Sequence, residues 1–128
     1  MEKITKTIDI GGIDYPLMLN LNATEQINEK FGGMEQLGDA LVKPENFSAA
    51  LDTVAELVVI LTTQGIEYVN YFESEKLELK PLTKEAVKLL CSPYDIGKMR
   101  PILFDAIKSD ASRAVTSEET DEKNSVDE

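Results

Sequence analysis

The sequence predicts an α+β fold that is mainly α: an N-terminal β-hairpin packed on a compact bundle of about four to five helices, followed by a disordered acidic tail. Three observations predict it. Apolar and polar residues alternate on both sides of a Gly-Gly pair near the N-terminus. Apolar residues then recur at three- and four-residue spacing in successive segments, several of them opened by a capping residue. From Ser109 onward the large aliphatic residues nearly vanish.

The hairpin is expected over residues 3–21. Ile4, Ile8 and Ile10 share one face of the first strand, and Ile13, Tyr15, Leu17 and Leu19 one face of the second. Gly11 and Gly12 separate them. A two-residue Gly-Gly loop suits a type I′ turn, in which both central residues need positive φ. That turn pairs Ile10 with Ile13, Ile8 with Tyr15 and Ile4 with Leu19, so one face is apolar throughout. It also sets Asp9 against Asp14, a like-charge pair tolerated only in water. Pro16 has no N–H to donate, which makes the second strand an edge. A lone hairpin is marginal in water, so this one must rest on helices.

Five helices are expected, over 23–31, 34–41, 45–64, 83–91 and 93–108. Asn22, with Glu25 three residues on, caps the first, which buries Ile27 and Phe31 and ends at Gly32-Gly33. Met34, Leu37 and Leu41 form the stripe of the second. Pro44 marks the first turn of the third, the longest, whose stripe is Phe47, Leu51, Val54, Leu57, Val58 and Leu61. Ala50, Ala55, Val59 and Ile60 widen that stripe until little polar surface remains, the pattern of a central buried helix, and Gly65 ends or bends it. The segment that follows is ambiguous: residues 66–74 could extend the helix, and KLELKP could be extended chain, with Pro81 stopping it. Thr83 caps the fourth helix. Ser92, Pro93 and Asp95 open the fifth as N-cap, first helical residue and N3, and it buries Ile96, Met99, Leu103 and Ile107. Pro101 lies inside it and should kink it. Residues 109–128 hold seven acids, two bases and only two valines, too little apolar surface to offset the entropy of ordering.

Charge and composition exclude several function classes. A formal net charge of -11 over 128 residues argues against nucleic-acid backbones and anionic membranes as partners. There is no histidine and one cysteine, Cys91, so no histidine-based triad, no internal disulfide and no ordinary zinc set can be built. The lone thiol is compatible with a reducing compartment. The run LVVIL at 57–61 is far too short to span a bilayer, and no basic N-terminal region precedes an apolar run.

The remaining chemical candidates each have a plainer reading. IGGIDYPL lacks the third glycine and the following helix of a dinucleotide cradle, and lacks the Lys-Ser or Lys-Thr of a P-loop, so the glycines are a turn. Asp52 and Glu56, an i, i+4 pair, could share a proton or hold a hard cation, or simply mark a solvated or partner-facing side of the long helix. The acids of the tail lack the central glycine of a calcium loop. Cys91, at the end of KLLC, reads as a small core residue. No catalytic, cofactor or metal residue emerges, and the chain is not expected to be an enzyme. Tyr68, Tyr71 and Phe72 form one helical face that is either core or a partner surface.

The order of these features resembles the tail assembly chaperones of long-tailed bacteriophages and prophages of Gram-positive hosts. The likeness is carried by ITKTIDIGGIDYPL, NATEQINEKFGG, a long apolar helix, PLTKEAVKLLCSPYDIGKMRPILFDAI and the acidic DEKN end, and it spans about the first 108 residues. The resemblance implies a non-enzymatic protein of the host cytoplasm, absent from the finished virion. It implies that the chain binds the tape measure protein, keeps it soluble and helps recruit tail tube protein. It also implies a possible homo-oligomer and, in some members, a longer frameshifted form. Val59, Ile60, Tyr68, Tyr71 and Phe72 are the apolar positions hardest to place in a single core stripe, and so form the expected contact surface. A different class of function also fits the charge: an acidic regulatory or inhibitory protein that mimics nucleic acid and occupies a basic partner, which would need ordered rows of carboxylates on the folded body.

Overall fold

The computed structural model describes residues 6–43, 46–72 and 78–123, with side chains described as far as Lys108. It is mainly helical, with an N-terminal antiparallel hairpin. Strands β1 (Thr7–Ile10) and β2 (Ile13–Pro16) are followed by α1 (Leu21–Phe31), α2 (Met34–Val42), α3 (Phe47–Phe72), α4 (Lys84–Leu90) and α5 (Pro93–Lys123).

The hairpin has the register expected from its turn: Ile10 faces Ile13, Asp9 faces Asp14 and Ile8 faces Tyr15. Gly11 and Gly12 both have positive φ, 64° and 88°. The Asp9 carboxylate accepts the Gly12 N–H at 2.8 Å, which turns its charge toward the loop and away from Asp14. Ile8, Ile10, Tyr15 and Leu17 are buried, whereas Ile13, beside the turn, stays 45% exposed. The second strand is shorter than the expected 13–21. Leu17 N–H still donates to Lys6 O, but Met18 N–H leaves the hairpin and donates to Leu61 O of α3 at 3.1 Å. The expected pairing of Ile4 with Leu19 lies partly outside the described residues.

Helix α3 is the axis of the fold, with α1, α2, α4, α5 and β2 all packed on it. Val54, Ala55, Leu57, Val58, Ile60 and Leu61 are each at most 1% exposed. At 26 residues and a mean hydropathy of 1.4 in its most apolar window, α3 is long and apolar enough to cross a membrane, which corrects the estimate from LVVIL alone; 61% of that window is buried inside the fold, as in the core helix of a globular domain. Its described start is Phe47, with Asn46 accepting Ala49 N–H at 2.8 Å, and the expected first turn at Pro44 and residue 45 lies outside the described residues. Phe47, expected in the buried stripe, is 56% exposed in that first turn.

Gly65 neither ends nor bends α3, contrary to expectation: the helix runs on to Phe72. A Cβ at this position would lie 2.2 Å from Pro16 O and 2.5 Å from Pro16 C. The glycine is there because the hairpin backbone presses directly on the helix.

The caps follow the same logic of local hydrogen bonding. Helix α1 begins at Leu21, and its cap is Asn20 rather than Asn22: Asn20 Oδ1 accepts Ala23 N–H at 2.9 Å. Asn20 and Asn22 both donate from Nδ2 to Oε1 of Gln64, which is buried. Gly32, at φ 96°, ends α1 as expected. Thr83 caps α4. Ser92 and Asp95 form a reciprocal capping box on α5, Asp95 N–H donating to Ser92 Oγ and Ser92 N–H to Asp95 Oδ2.

Helix α5 buries Ile96, Met99, Leu103 and Ile107, and Arg100 donates to the Leu41 carbonyl at the end of α2. Pro101 lies within it and deprives the Gly97 carbonyl of its helical donor. The expected end near Lys108 differs from the structure, where helical backbone continues to Lys123. No glycine or proline between 109 and 123 interrupts it. Residues 124–128 of the expected tail lie outside the described residues.

Candidate interaction surface

Asp52 and Glu56 project from α3 toward α1 and α4, where three lysines meet them. Lys30 reaches Glu56 at 3.2 Å, Lys84 reaches both carboxylates at 3.4–3.5 Å, and Lys88 reaches Asp52 at 3.3 Å. The hydrogen bond from Lys88 and the charge of Lys84 hold the Asp52 carboxyl below its usual range. Hydrogen bonding to Glu56 and the charge of Asp52 raise Lys84. Both shifts favour the charged forms of Asp52 and Lys84, and the ion pairs clamp α3 to α1 and α4. Among the described residues no group of three or more acids, cysteines or histidines is placed to hold a metal ion.

The Gly-Gly turn and Cys91 meet at a cleft of about 350 Å³ whose lining includes Asp9, Leu90, Asp95 and Ile102. The carboxylates of Asp9 and Asp95 outweigh the one cation in the lining, Lys98, and the Gly12 N–H is already taken by Asp9, so the cleft is no anion cradle. The Cys91 thiol is half-buried, and burial, with lesser help from Asp95 and Asp9, pushes its pKa up. That leaves little thiolate near neutrality.

Among the described residues, exposed apolar side chains gather in places that include the following three. The first is the end of α3. Tyr71 is 81% and Phe72 52% exposed, with Tyr68 half-buried beside them. Their rings pack against one another, Tyr68–Phe72 tilted at 5.0 Å and Tyr71–Phe72 edge to face at 4.9 Å. This cluster stands away from the core because α3 outruns the elements that cover its middle. The second is the corner of α4 and α5, where Leu89, Leu90 and Tyr94 are exposed and Lys98 lies 5.3 Å from the Tyr94 ring centroid. The third is a groove between α2 and α5, floored by Leu37, Leu41 and Phe104.

The five residues expected at a contact surface therefore separate. Ile60 is 1% exposed and belongs to the core, and Val59 is half-buried against it, because the middle of α3 is wrapped on nearly all sides. Tyr68, Tyr71 and Phe72 stay together at the helix end. The α4–α5 corner and the α2–α5 groove were not legible: Leu89 and Leu90 are apolar in the sequence like Val87, yet of α4 only Val87 is buried. Comparison with known protein families, with curated proteins and with solved structures finds no match to this chain.

Proposed function

We propose that the chain is a tail assembly chaperone of a long-tailed phage or prophage, a non-enzymatic protein that binds the helical tape measure protein, keeps it soluble and helps bring tail tube protein to it. The observation that carries the reading is the exposed aromatic cluster of Tyr71 and Phe72, braced by Tyr68, in a chain with 24 acidic residues. Aromatic side chains are the usual anchors of protein interfaces, since they bury large areas at low entropic cost. An apolar helix laid on such a cluster gains contact area. The net charge of -11 keeps the complex dissolved by self-repulsion. The resemblance of the hairpin and the LLCSPYDI region to this family supports the choice of partner. Asp52 and Glu56 are engaged by lysines of the same chain, which weighs against a role as a nucleic-acid mimic.

Co-expression with a tape measure fragment tests the proposal. The wild-type chain keeps the fragment soluble and co-purifies with it. Tyr71→Asp combined with Phe72→Asp, at exposed positions that leave the core intact, lets the fragment precipitate. Retention of the fragment by the folded double variant overturns this surface, and failure of the wild-type chain to retain it overturns the partner.

A further inference from the structure

The two edges of the hairpin are not alike. In an antiparallel pair, successive residues of a strand turn their backbone N–H and C=O alternately into the ladder and out to the free edge. A two-residue loop makes its flanking residues, Ile10 and Ile13, an inward hydrogen-bonded pair. Ile8 with Tyr15 is then the next such pair, and the Leu17 N–H bonded to Lys6 O at 3.0 Å keeps the same alternation. The outward groups are therefore those of Asp14, Pro16 and Met18 on one edge and of Thr7 and Asp9 on the other. Helix α3 covers the first edge: Pro16 O presses on Gly65, and Met18 N–H donates to Leu61 O. Among the described residues nothing covers the second. Strand β1 pairs with β2 alone, and no hydrogen bond reaches the backbone N–H or C=O of Thr7 or Asp9.

Space lies beside that open edge. The cleft of about 350 Å³ runs between β1 and the first turns of α5, with Ile8, Asp9, Leu90, Met99 and Ile102 in its lining. Leu90 and Ile102 are exposed in it. Lys6 and Asp105, 2.9 Å apart, bridge β1 to α5 two residues before Ile8, and a solvent-exposed ion pair of this kind opens at little cost. Side chains directly opposite in neighbouring strands share a face. A residue set against Ile8 would therefore point with it toward Met99 and Ile102, and must be apolar. Residues set against Thr7 and Asp9 would share the solvent face. On that face Asp9 already stands across from Asp14, both exposed, and neither has an ion pair among the described residues. A base placed opposite Asp9 would relieve two like charges at once.

We propose that β1 is a docking edge that takes, as a third antiparallel strand, an extended segment of another protein in which basic and apolar residues alternate. Thr7 and Asp9 each exchange a pair of backbone hydrogen bonds with the guest strand. The apolar guest residue between them enters the cleft against Met99 and Ile102. The basic guest residue opposite Asp9 pairs with its carboxylate, beside that of Asp14. Charge selects the guest: β1 itself reads TIDI, with an acid where the edge asks for a base, so a second copy of this strand is a poor occupant. The edge is separate from the aromatic end of α3 and does not rest on the function proposed for it.

Titrating the full chain with a capped seven-residue peptide of alternating lysine and valine, followed by NMR at physiological ionic strength, tests this. The wild-type chain binds the peptide, and the amides of Thr7 and Asp9 shift most and become slow to exchange with deuterium. The same peptide N-methylated at its lysine amides keeps the charge and loses the donors, so it binds at least about tenfold more weakly. A glutamate–valine peptide does not bind. Thr7→Pro removes an outward N–H and no ladder bond, and weakens binding at least about fivefold. Asp14→Lys, which leaves Asp9 bonded to the Gly12 N–H, weakens it about fivefold. Tyr71→Asp with Phe72→Asp leaves it unchanged, which separates this edge from the surface proposed above. No binding of the lysine–valine peptide, equal binding of its N-methylated form, or shifts centred on residues 68–72 overturns the proposal. Should Thr7→Pro unfold the hairpin, amide exchange in the wild-type chain and Asp14→Lys decide.

Discussion

Replacing Gly65 by alanine is the sharpest test of how the hairpin sits on α3. In an open helical position the change stabilises by up to about 1 kcal/mol, the difference in helix propensity. Here the new methyl group would stand 2.2 Å from Pro16 O, 2.5 Å from Pro16 C and 3.1 Å from Leu17 N. All three are backbone atoms and cannot rotate away, so the hairpin must retreat by about 1 Å to reach ordinary contact. Such overpacking costs about 1–3 kcal/mol. Stretching the Met18 N–H to Leu61 O bond removes about 1 kcal/mol more. After the propensity gain, the net effect is a destabilisation of about 2 kcal/mol, or a fall in melting temperature on the order of 10 °C. Urea unfolding followed by circular dichroism measures it, with Gly38→Ala and Gly97→Ala as controls. Those two positions face open space, so each gains stability. A Gly65→Ala chain as stable as the wild type, or a shift of the same sign at all three glycines, refutes the reasoning.

Other outcomes follow from the caps, the clamp and the thiol. Asn20→Ala removes the α1 cap and one of two donors to buried Gln64, and costs about 1–2 kcal/mol in the same assay; Asn22→Ala, which leaves the cap in place, costs less. The Asp52 carboxyl sits below its usual 3.8, so its stabilisation is present above that pH and is lost as pH falls through the lower folded value. Because Asp52 is exposed, Asp52→Asn costs only about 0–1 kcal/mol at neutral pH, less at high salt, and the difference from wild type closes in strong acid; a gap that persists there contradicts the clamp. Cys91, with its pKa raised by burial, reacts with iodoacetamide more slowly at neutral pH than a free thiol, and equal rates contradict its placement.

Local chemistry made much of the fold legible. The Gly-Gly loop set the turn type, the turn set the register, and Thr83 and the Ser92–Asp95 pair marked helix starts, because each acts through neighbours within four residues. What stayed hidden depends on residues far apart in sequence. Gly65 reads as a helix breaker until Pro16 is seen against it. Asn22 reads as the cap because Glu25 follows it, yet Gln64 draws both asparagines and leaves Asn20 in the capping position. Ile60 reads as surplus to one stripe, but a central helix is buried on several sides and needs no single stripe. Val87, Leu89 and Leu90 are all apolar in the sequence, and hydropathy alone does not tell which of them is buried. Of the expected surface, the aromatic end of α3 could be read from spacing. The α2–α5 groove could not, since an open groove is signalled by glycines that in sequence suggest only weak helix.

The central claim is that the aromatic end of α3 holds a helical partner. Titrating a soluble tape measure fragment into the wild-type chain and into the Tyr71→Asp, Phe72→Asp variant, by calorimetry, tests it most directly. Two exposed aromatic anchors at an interface are each worth at least about 1–2 kcal/mol, so the variant binds at least about tenfold more weakly while its unfolding curve is unchanged. Equal affinity for the fragment in both folded proteins contradicts the account.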